Sequence, residues 1–325
     1  MRHTTVDARG TRIHCIEEGT GPLVLFVHGF PESWYSWRHQ LPAVAAAGFR
    51  AVAIDVRGYG RSSAPLEVDA YGMLQHVNDN LGVVEALSPD DPTAIIVGHD
   101  WGAPIAAHSA LLRPDAFRAV ALLSVPYNPP GRRRPTEAFD EIGRLAGDDE
   151  EFYINYFQEP GRAEREIELD VRFWLTGFYV AASGEGIGLA PDGRTIATVR
   201  EGGLLRDRFV VPDELPAWLT QEDLDFYVGE FERTGFRGPL NRYRNVDRDW
   251  LDFQPWRGQP IAVPSLFIGG ERDGPTVWGR SAISRFPETL PGLRGSHILA
   301  GCGHWIQQER SDDVNEILVD WLRSL

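Results

Sequence analysis

Lysine is absent from this sequence, and all 32 basic residues of the 325-residue chain are arginines. The absence excludes an enzyme that depends on a lysine Schiff base, a pyridoxal-phosphate lysine or the lysine of a P-loop. Basic residues are also outnumbered by acidic ones, and the formal net charge is −15. Such a charge favours solubility and argues against nucleic acids and anionic membranes as partners.

Cysteine and long apolar segments are scarce as well. The two cysteines, Cys15 and Cys302, form no CxxC pair, and we interpret both as packing residues of a protein from a reducing compartment. No apolar run approaches the roughly 18 residues that span a bilayer. Because Met1–Gly10 also lacks the apolar core of a signal peptide, we expect a cytoplasmic protein.

Short apolar runs alternate with helical patterns through much of the chain, as in a parallel sheet that is buried on both faces. The predicted strands are Leu23–Val27, Ala51–Ile54, Ala94–Val97, Ala119–Ser124 and Ser265–Ile268. Val6–Cys15 can add an antiparallel hairpin at one edge, and His297–Leu299 a last strand. The pattern predicts an α/β three-layer sandwich with a mostly parallel sheet.

The alternation stops near Asn128, where a turn-rich stretch at 128–135 cannot continue a helix. The segment Glu137–Trp250 is aromatic-rich and helical in pattern, with a looser stretch at Ser183–Gly193, before strand character returns at Ile261–Ile268. We predict a core of residues 1–128 and 261–325 with a mostly helical cap at 129–260. A second independent domain is disfavoured because sheet-forming sequence resumes after the insertion. Such a cap would cover the carboxyl ends of the strands, where open α/β sheets bind ligands.

The most informative motif is Gly98-His99-Asp100-Trp101-Gly102, which separates the strand candidate Thr93–Val97 from the helical run Ala103–Leu112. A nucleophile between two small residues at a strand-to-helix turn is the nucleophile elbow of α/β-hydrolases. Most such elbows carry serine, which attacks carbonyl carbon. A carboxylate can instead displace a leaving group from an sp3 carbon and form an ester that water cleaves. Asp100 therefore points to epoxides or alkyl halides.

Two further strand ends carry complementary groups, in the order nucleophile, acid, histidine that is typical of this fold. Asp273 follows the strand candidate at 265–268, and His304 follows the next one. A neutral imidazole can take a proton from water, and a carboxylate behind it fixes its tautomer. Glu271 is an alternative to Asp273 at this level of reasoning.

His28-Gly29-Phe30-Pro31 follows the strand Leu23–Val27. At this place in the fold the backbone N–H groups of Phe30 and Trp101 would form an oxyanion hole, which is needed when water attacks the enzyme's own ester. We expect His28 to order the loop by hydrogen bonding and His99 to be a packing residue.

These motifs resemble those of epoxide hydrolases of the α/β-hydrolase fold over nearly the whole chain. The segments Tyr153–Gly161 and Gly235–Asn245 resemble the family's two tyrosine-bearing cap segments. The resemblance implies Asp100 as the nucleophile, Asp273 as the acid, His304 as the base, and Tyr153 and Tyr243 as epoxide-binding residues. Tyr156 competes with Tyr153, which is preferred because it lies five residues before the run Gln158–Gly161. Arg242 departs from the apolar or aromatic residue expected beside Tyr243.

The sequence thus predicts hydrolysis of an epoxide to a vicinal diol through a covalent aspartyl ester, with no metal or organic cofactor. The expected partner is a small apolar epoxide, and a homodimer is compatible with the sequence but cannot be derived from it. The predicted pocket residues are Phe30, Pro31, Trp34, Trp101 and Trp305. Dehalogenation by the same nucleophile and a hydrolase-fold binding protein without catalysis are the alternatives. A halide would need indole or amide donors, whereas an epoxide oxygen needs a hydroxyl, which the two tyrosine segments supply.

Overall fold

The computed structural model describes residues 1–186 and 195–325. Strands in this part of the chain are β1 (Arg2–Ala8), β2 (Thr11–Glu18), β3 (Leu23–Val27), β4 (Arg50–Ile54), β5 (Ala94–His99), β6 (Phe117–Leu123), β7 (Glu150–Phe152), β8 (Thr198–Arg200), β9 (Ser265–Gly270) and β10 (Leu293–Leu299). Eight of them form one sheet in the order β1-β2-β4-β3-β5-β6-β9-β10. The strands from β4 to β10 of this sheet are parallel, and β2 pairs antiparallel with both β1 and β4.

All the strands predicted from apolar runs are present, with ends that differ by a few residues. The edge hairpin is longer than predicted, because β1 and β2 run from Arg2 to Glu18, and β10 begins at Leu293. These edge strands carry exposed polar side chains at alternate or consecutive positions, so apolar runs underestimate their length.

The helices in the described part of the chain are α1 (Gln40–Ala46), α2 (Met73–Leu87), α3 (Gly102–Leu112), α4 (Pro135–Ala146), α5 (Tyr153–Tyr156), α6 (Arg162–Ile167), α7 (Val171–Ala182), α8 (Gln221–Thr234), α9 (Arg237–Tyr243), α10 (Val246–Asp252), α11 (Gly274–Trp278), α12 (Arg280–Ile283), α13 (Phe286–Thr289), α14 (Ile306–Glu309) and α15 (Ser311–Arg323). Short 3-10 segments lie at Trp34–Trp37, Val68–Tyr71, Leu205–Arg208 and Gln254–Trp256. Of the described helices, none is long and apolar enough to cross a membrane.

Two apolar cores lie on opposite faces of the sheet, because successive side chains of a strand point to opposite sides. On β5, Ile96 belongs to the core that also contains side chains of α2 and α3. Its neighbours Ile95 and Val97 belong to the other core, with side chains of α1 and α15. The result is the predicted three-layer sandwich of helices, sheet and helices.

The cap elements α4 to α10 all fall between β6 and β9 in the chain. The cap is mostly helical, as predicted, but it also contains the small antiparallel sheet of β7 and β8, which the sequence pattern does not indicate. Helix α4 begins at Pro135, which ends the turn-rich stretch at a position where proline is well tolerated. Part of the looser stretch predicted at Ser183–Gly193 lies outside the described residues.

Candidate active site

Asp100 lies on the sharp turn between β5 and α3. Its φ of 50° is in the left-handed region, which costs a non-glycine residue about 1–3 kcal/mol and persists only when the surroundings enforce it. The left-handed conformation of Asp100 is maintained by the close packing of the flanking glycines. A Cβ on Gly98 would collide with the carbonyl of Gly102, and a Cβ on Gly102 with the carbonyl of Val27. The turn therefore projects the carboxylate above the sheet.

The Asp100 carboxylate has two different environments. Oδ1 accepts a hydrogen bond of 2.8 Å from the amide of Phe30, which follows β3. Oδ2 lies 3.4 Å from Nε2 of His304. Among the described residues, the structure records no hydrogen bond from the Trp101 amide to Asp100. Of the two predicted oxyanion donors, Phe30 therefore contacts the carboxylate, whereas the Trp101 amide stays at the N-terminal end of α3 without this bond.

His304 bridges the two predicted carboxylates. Its Nδ1 lies 2.8 Å from Oδ1 of Asp273, on the side of the ring opposite Asp100. Asp273 is fully buried at the end of β9, where its side chain also accepts from the Thr276 amide and caps α11. Glu271 does not contact His304; it accepts a hydrogen bond from the Gly301 amide at the surface. Geometry thus selects Asp273 over Glu271.

Two hydroxyl groups hold the second oxygen of Asp273. Ser124 Oγ lies 2.8 Å from Oδ2 and Thr276 Oγ1 lies 2.6 Å from it. Ser124 Oγ is also 3.1 Å from Nδ1 of His304. With Oδ2 occupied by hydroxyl donors, Oδ1 is left to face the imidazole. Sequence reasoning missed both hydroxyls, because a serine at the end of β6 and a threonine in a helical turn carry no motif.

Electrostatic interactions with neighbouring side chains shift the pKa values of His304 and Asp273. Burial lowers the pKa of His304, but the charge of Asp273, the hydrogen bonds with Asp100 and Asp273 and the charge of Asp100 outweigh it and raise the pKa well above the ordinary value. Burial raises the pKa of Asp273, but the charge and hydrogen bond of His304 and the hydroxyls of Thr276 and Ser124 reverse this, and the net pKa is lowered. With both carboxylates ionised, the imidazole is therefore held in its protonated form.

The loop that carries Phe30 is fixed by buried polar groups. His28 Nδ1 donates to the Gly29 carbonyl at 2.8 Å, and its Nε2 accepts from the Val56 amide at 3.0 Å, which fulfils the predicted ordering role. The fully buried Glu32 accepts from the Gly29 amide at 2.9 Å and lies 2.8 Å from Nδ1 of His99. Glu32 thus links the Phe30 loop to β5.

His99 is more than a packing residue. Its Nε2 lies 2.7 Å from the carbonyl oxygen of His304, so the ring joins Glu32 to the loop that carries the base. Burial raises the pKa of Glu32, but the charge and hydrogen bond of His99, the charge of His28 and the Gly29 amide lower it to about 2. A buried carboxylate that stays ionised therefore connects the loops after β3, β5 and β10.

Tyr153 and Tyr243 both line the cavity above Asp100, where their ring centroids lie 6.2 Å apart. Tyr156, the competing residue, points elsewhere: its hydroxyl donates a 2.5 Å hydrogen bond to Glu166. Burial, followed by the charge of Asp100, raises the pKa of Tyr153. Burial and the charges of Tyr153 and Asp100 likewise raise the pKa of Tyr243 well above the ordinary value. Both phenols are therefore protonated donors at neutral pH.

The cavity has a volume of about 530 Å³, within the range of small-molecule sites, about 300–1,000 Å³. Besides Asp100, His304 and the two tyrosines, its described lining consists of Phe30, Phe178, Ala181, Ala182, Ser183, Glu185, Gly186, Thr195, Ile196, Ala197, Leu205, Arg272, Gly274, Pro275, Val277 and Trp278. Most of these side chains are apolar. The arrangement suits a neutral, largely apolar molecule with one reactive end beside Asp100.

Of the predicted pocket residues, Phe30 lines the cavity, but Pro31, Trp34, Trp101 and Trp305 are absent from its described lining. These four residues make packing contacts or hydrogen bonds elsewhere in the structure. Trp34 contacts Tyr35 and, in α8, Phe226, at 5.5 and 5.8 Å between ring centroids. Trp305 is fully buried and donates its indole N–H to the Tyr179 carbonyl.

Local contacts also account for the positions of Pro31 and Trp101, the other two predicted pocket residues that do not line the cavity. The Pro31 carbonyl accepts a hydrogen bond of 2.6 Å from the Tyr179 hydroxyl within the buried interior. The Trp101 indole stands perpendicular to the Tyr243 ring, at 5.2 Å between centroids. Arg242, the residue that departs from the expected pattern, lies with its guanidinium 4.6 Å from the centre of the Trp101 ring and pairs with Asp249. Arg242 therefore packs against Trp101 and is absent from the described lining of the cavity.

Comparison with known proteins shows that this chain is similar to epoxide hydrolases in both sequence and structure. Residues 22–179 match a family model for the alpha/beta hydrolase fold. The chain is 44% identical to Epoxide hydrolase B of Mycobacterium tuberculosis, across 99% of this chain and 98% of the relative. Among solved structures it is similar to an epoxide hydrolase from an endophytic Streptomyces, with a TM-score of 0.94, 62% identity and coverage of 99% and 95% of the two chains. Epoxide Hydrolase A from Mycobacterium thermoresistibile gives a TM-score of 0.90 at 40% identity, across 99% of this chain and 98% of that one.

Proposed function

Since this chain belongs to the epoxide hydrolase family of the α/β-hydrolase fold and is an enzyme that converts an epoxide and water to a diol, we propose that it works through a covalent ester on Asp100. The observation that carries the proposal is the line of groups from Asp273 Oδ1 through His304 to Asp100 Oδ2, with separations of 2.8 and 3.4 Å. This line ends in the cavity that also holds two tyrosine hydroxyls.

In the first step, Oδ2 of Asp100 attacks one carbon of the epoxide ring. Oδ1 is held by the Phe30 amide at 2.8 Å, whereas the contact of Oδ2 with His304 is longer, at 3.4 Å, which favours Oδ2 as the attacking oxygen. The carbon–oxygen bond of the ring breaks, and negative charge develops on the departing oxygen. Tyr153 and Tyr243 donate hydrogen bonds to that oxygen. One of them passes its proton to the oxygen and is reprotonated from solvent, which gives a hydroxyalkyl ester of Asp100.

In the second step, water attacks the carboxyl carbon of the ester. Esterification removes the charge of Asp100, one of the two carboxylates that raise the pKa of His304. The pKa of the imidazole therefore falls, and His304 releases its proton to solvent. The neutral ring can then take a proton from water while Asp273 stabilises the resulting cation. Oδ1 becomes the ester carbonyl oxygen, so the Phe30 amide already lies where negative charge develops. The Trp101 amide is proposed as the second donor.

The tetrahedral species collapses by releasing the diol oxygen, which takes the proton from His304. The carboxyl group of Asp100 then ionises, and its proton restores the protonated form of His304. The proton that the first step takes from solvent is matched by the one that His304 released after esterification. One oxygen atom of Asp100 leaves in the diol, and an oxygen atom from water replaces it. The proposal needs neither a metal nor an organic cofactor.

A single turnover in oxygen-18 water tests the covalent route. The label is expected in the Asp100 carboxylate, as read by peptide mass spectrometry, and the first diol is expected to be unlabelled. Label in the diol alone would contradict the ester. In the His304→Gln variant, intact mass is expected to show an accumulated adduct of enzyme and epoxide, and the Asp100→Asn variant is the control that forms none.

The division into core and cap at residues 128 and 261, the detoxifying role and the cytoplasmic location remain predictions beside this mechanism. Removal of a reactive electrophile as a diol supports the detoxifying role. Dehalogenation receives no support from the site, because the Trp101 indole packs against Tyr243 and is absent from the described cavity lining.

A further inference from the structure

Trp278 is an unusual residue of the cavity wall, because 55% of its surface is exposed to solvent although it lines the site. It is the last residue of α11, the short helix that begins directly after Asp273. Isolated apolar side chains on a protein surface are common and need no explanation. An indole at the opening of an apolar cavity is different, because a bound ligand can remove it from water.

The position of the indole is fixed from two sides. Its six-membered ring lies against Gly274, where an added Cβ would come within 3.1 Å of Cη2 of the indole. On the cap side, the ring lies perpendicular to Phe152, at 5.7 Å between centroids. Phe152 in turn lies 4.8 Å from the ring of Tyr153. A row of three aromatic rings therefore runs from a proposed oxygen-binding residue to the mouth of the cavity.

The described lining of the cavity that holds both the catalytic groups and Trp278 is largely apolar, with contributions from Phe178, Ala181, Ala197, Leu205, Pro275 and Val277. Among the described lining residues outside the catalytic cluster, the charged side chains are those of Glu185 and Arg272, and both are exposed. Arg272 donates to the Gly184 carbonyl at 2.8 Å. A neutral chain can therefore extend from Asp100 to the mouth without burying an unpaired charge.

We propose that Trp278 is a specificity-determining residue for elongated neutral epoxides, whose apolar tail leaves the catalytic end along the apolar wall and covers the exposed indole. This inference rests on the proposed epoxide hydrolysis and names the substrate class of the same cavity. The tail contact is remote from the reacting atoms, so it contributes equally to the bound substrate and to the transition state. Its loss raises KM and leaves kcat nearly unchanged.

The test is a homologous series of linear terminal epoxides from four to ten carbons, assayed for diol formation. For the wild-type enzyme, kcat/KM is expected to rise with chain length, by up to about fourfold per methylene that is fully buried. In Trp278→Ala, the longest substrates are expected to lose about tenfold in kcat/KM through KM. Epoxybutane, the shortest substrate of the series, is expected to be unaffected, and Trp278→Phe should restore most of the loss.

Arg272→Gln is the matched control, since it changes a neighbouring exposed side chain of the same rim and removes its charge. It is expected to leave the chain-length dependence intact. Equal losses for short and long substrates in Trp278→Ala, or a loss of chain-length dependence in Arg272→Gln, would overturn the assignment. Failure of the wild-type enzyme to hydrolyse even epoxybutane would instead contradict the proposed function. Thermal unfolding of each variant verifies that the fold is retained.

Discussion

The hydroxyl group of Ser124 donates a hydrogen bond of 2.8 Å to Oδ2 of Asp273, across the carboxyl ends of the neighbouring strands β6 and β9. Ser124 holds this position with a φ of 71°, a left-handed conformation that is uncommon for serine, and it is fully buried. The geometry fixes the carboxylate so that its other oxygen meets His304. Ser124 is therefore a positioning residue for the base.

Ser124→Ala is expected to slow hydrolysis of the covalent ester by about tenfold, the lower end of the effect of a hydrogen bond to a charged group. Without this donor, more negative charge remains on the oxygen facing His304. The pKa of the imidazole then rises, and the pH profile of the hydrolysis step moves to higher pH. Single-turnover rates across pH measure both effects.

Thr276→Val removes the other hydroxyl on the same oxygen and should shift the profile in the same direction. Ser124→Gly also lacks the hydroxyl but relieves the left-handed strain, so it should match the alanine variant in rate and exceed it in stability. If the alanine variant is less stable but keeps the wild-type pH profile of ester hydrolysis, the positioning role of Ser124 is contradicted, and the residue contributes only to packing.

Tyr153→Phe and Tyr243→Phe are each expected to reduce the rate of ester formation by about 10²–10³, the typical cost of losing one preorganised donor to developing charge. Hydrolysis of the ester should change much less, since neither hydroxyl faces the attacking water in the proposed mechanism. Stopped-flow measurement of adduct formation separates the two steps. Tyr156→Phe is the control, because its hydroxyl binds Glu166 outside the cavity, and a loss as large as that of Tyr153→Phe would contradict the assignment.

Asp273→Asn removes a negative charge that raises the pKa of His304. The pKa of the imidazole should therefore fall, and the ester-hydrolysis profile, which requires neutral His304, should extend to lower pH. The maximal rate should nevertheless drop, by up to about 10⁴, because the amide no longer fixes the tautomer and no longer stabilises the cation. A profile unmoved by this substitution would exclude Asp273 as the partner of the base.

Glu32→Gln is expected to lower the free energy of unfolding at neutral pH by on the order of 3 kcal/mol. The pKa of Glu32 is lowered from 4.5 to about 2 on folding, so its ionised form stabilises the folded state above pH 4.5. That contribution is lost as the pH falls towards 2. The difference in the free energy of unfolding between variant and wild type, measured by urea unfolding, should therefore shrink as the pH falls from 4.5 towards 2. Glu271→Gln, at an exposed carboxylate on a neighbouring loop, should show no such difference.

The sequence predicts the central strands well because a buried parallel strand needs a continuous apolar run, and such runs are rare elsewhere. It also predicts Asp100 and Tyr153, because the elbow needs glycines at fixed places and the cap segment has recognisable spacing. The residue pattern alone could not separate Asp273 from Glu271, since both follow β9 within the same turn. The family resemblance favoured Asp273, and its contact with His304 selects it.

The walls of the cavity could not be predicted in this way. Trp34 and Trp305 follow functional motifs in the chain, yet both face the interior, because the direction of a side chain depends on packing that sequence spacing does not specify. Arg272 lies on the β9–α11 connection and Trp278 ends α11, and both line the cavity, but no sequence pattern marks either as a wall residue. The role of the Ser124 hydroxyl could not be predicted from the sequence either, because Ser124 acts through Asp273.

The attacking carboxylate sits on the sheet, whereas both phenols that would receive the displaced oxygen come from the inserted helices α5 and α9. In the proposed mechanism, neither half can open a ring alone. Correct packing of the inserted helices on the core is therefore a condition for ester formation, even though the nucleophile and its elbow belong entirely to the sheet.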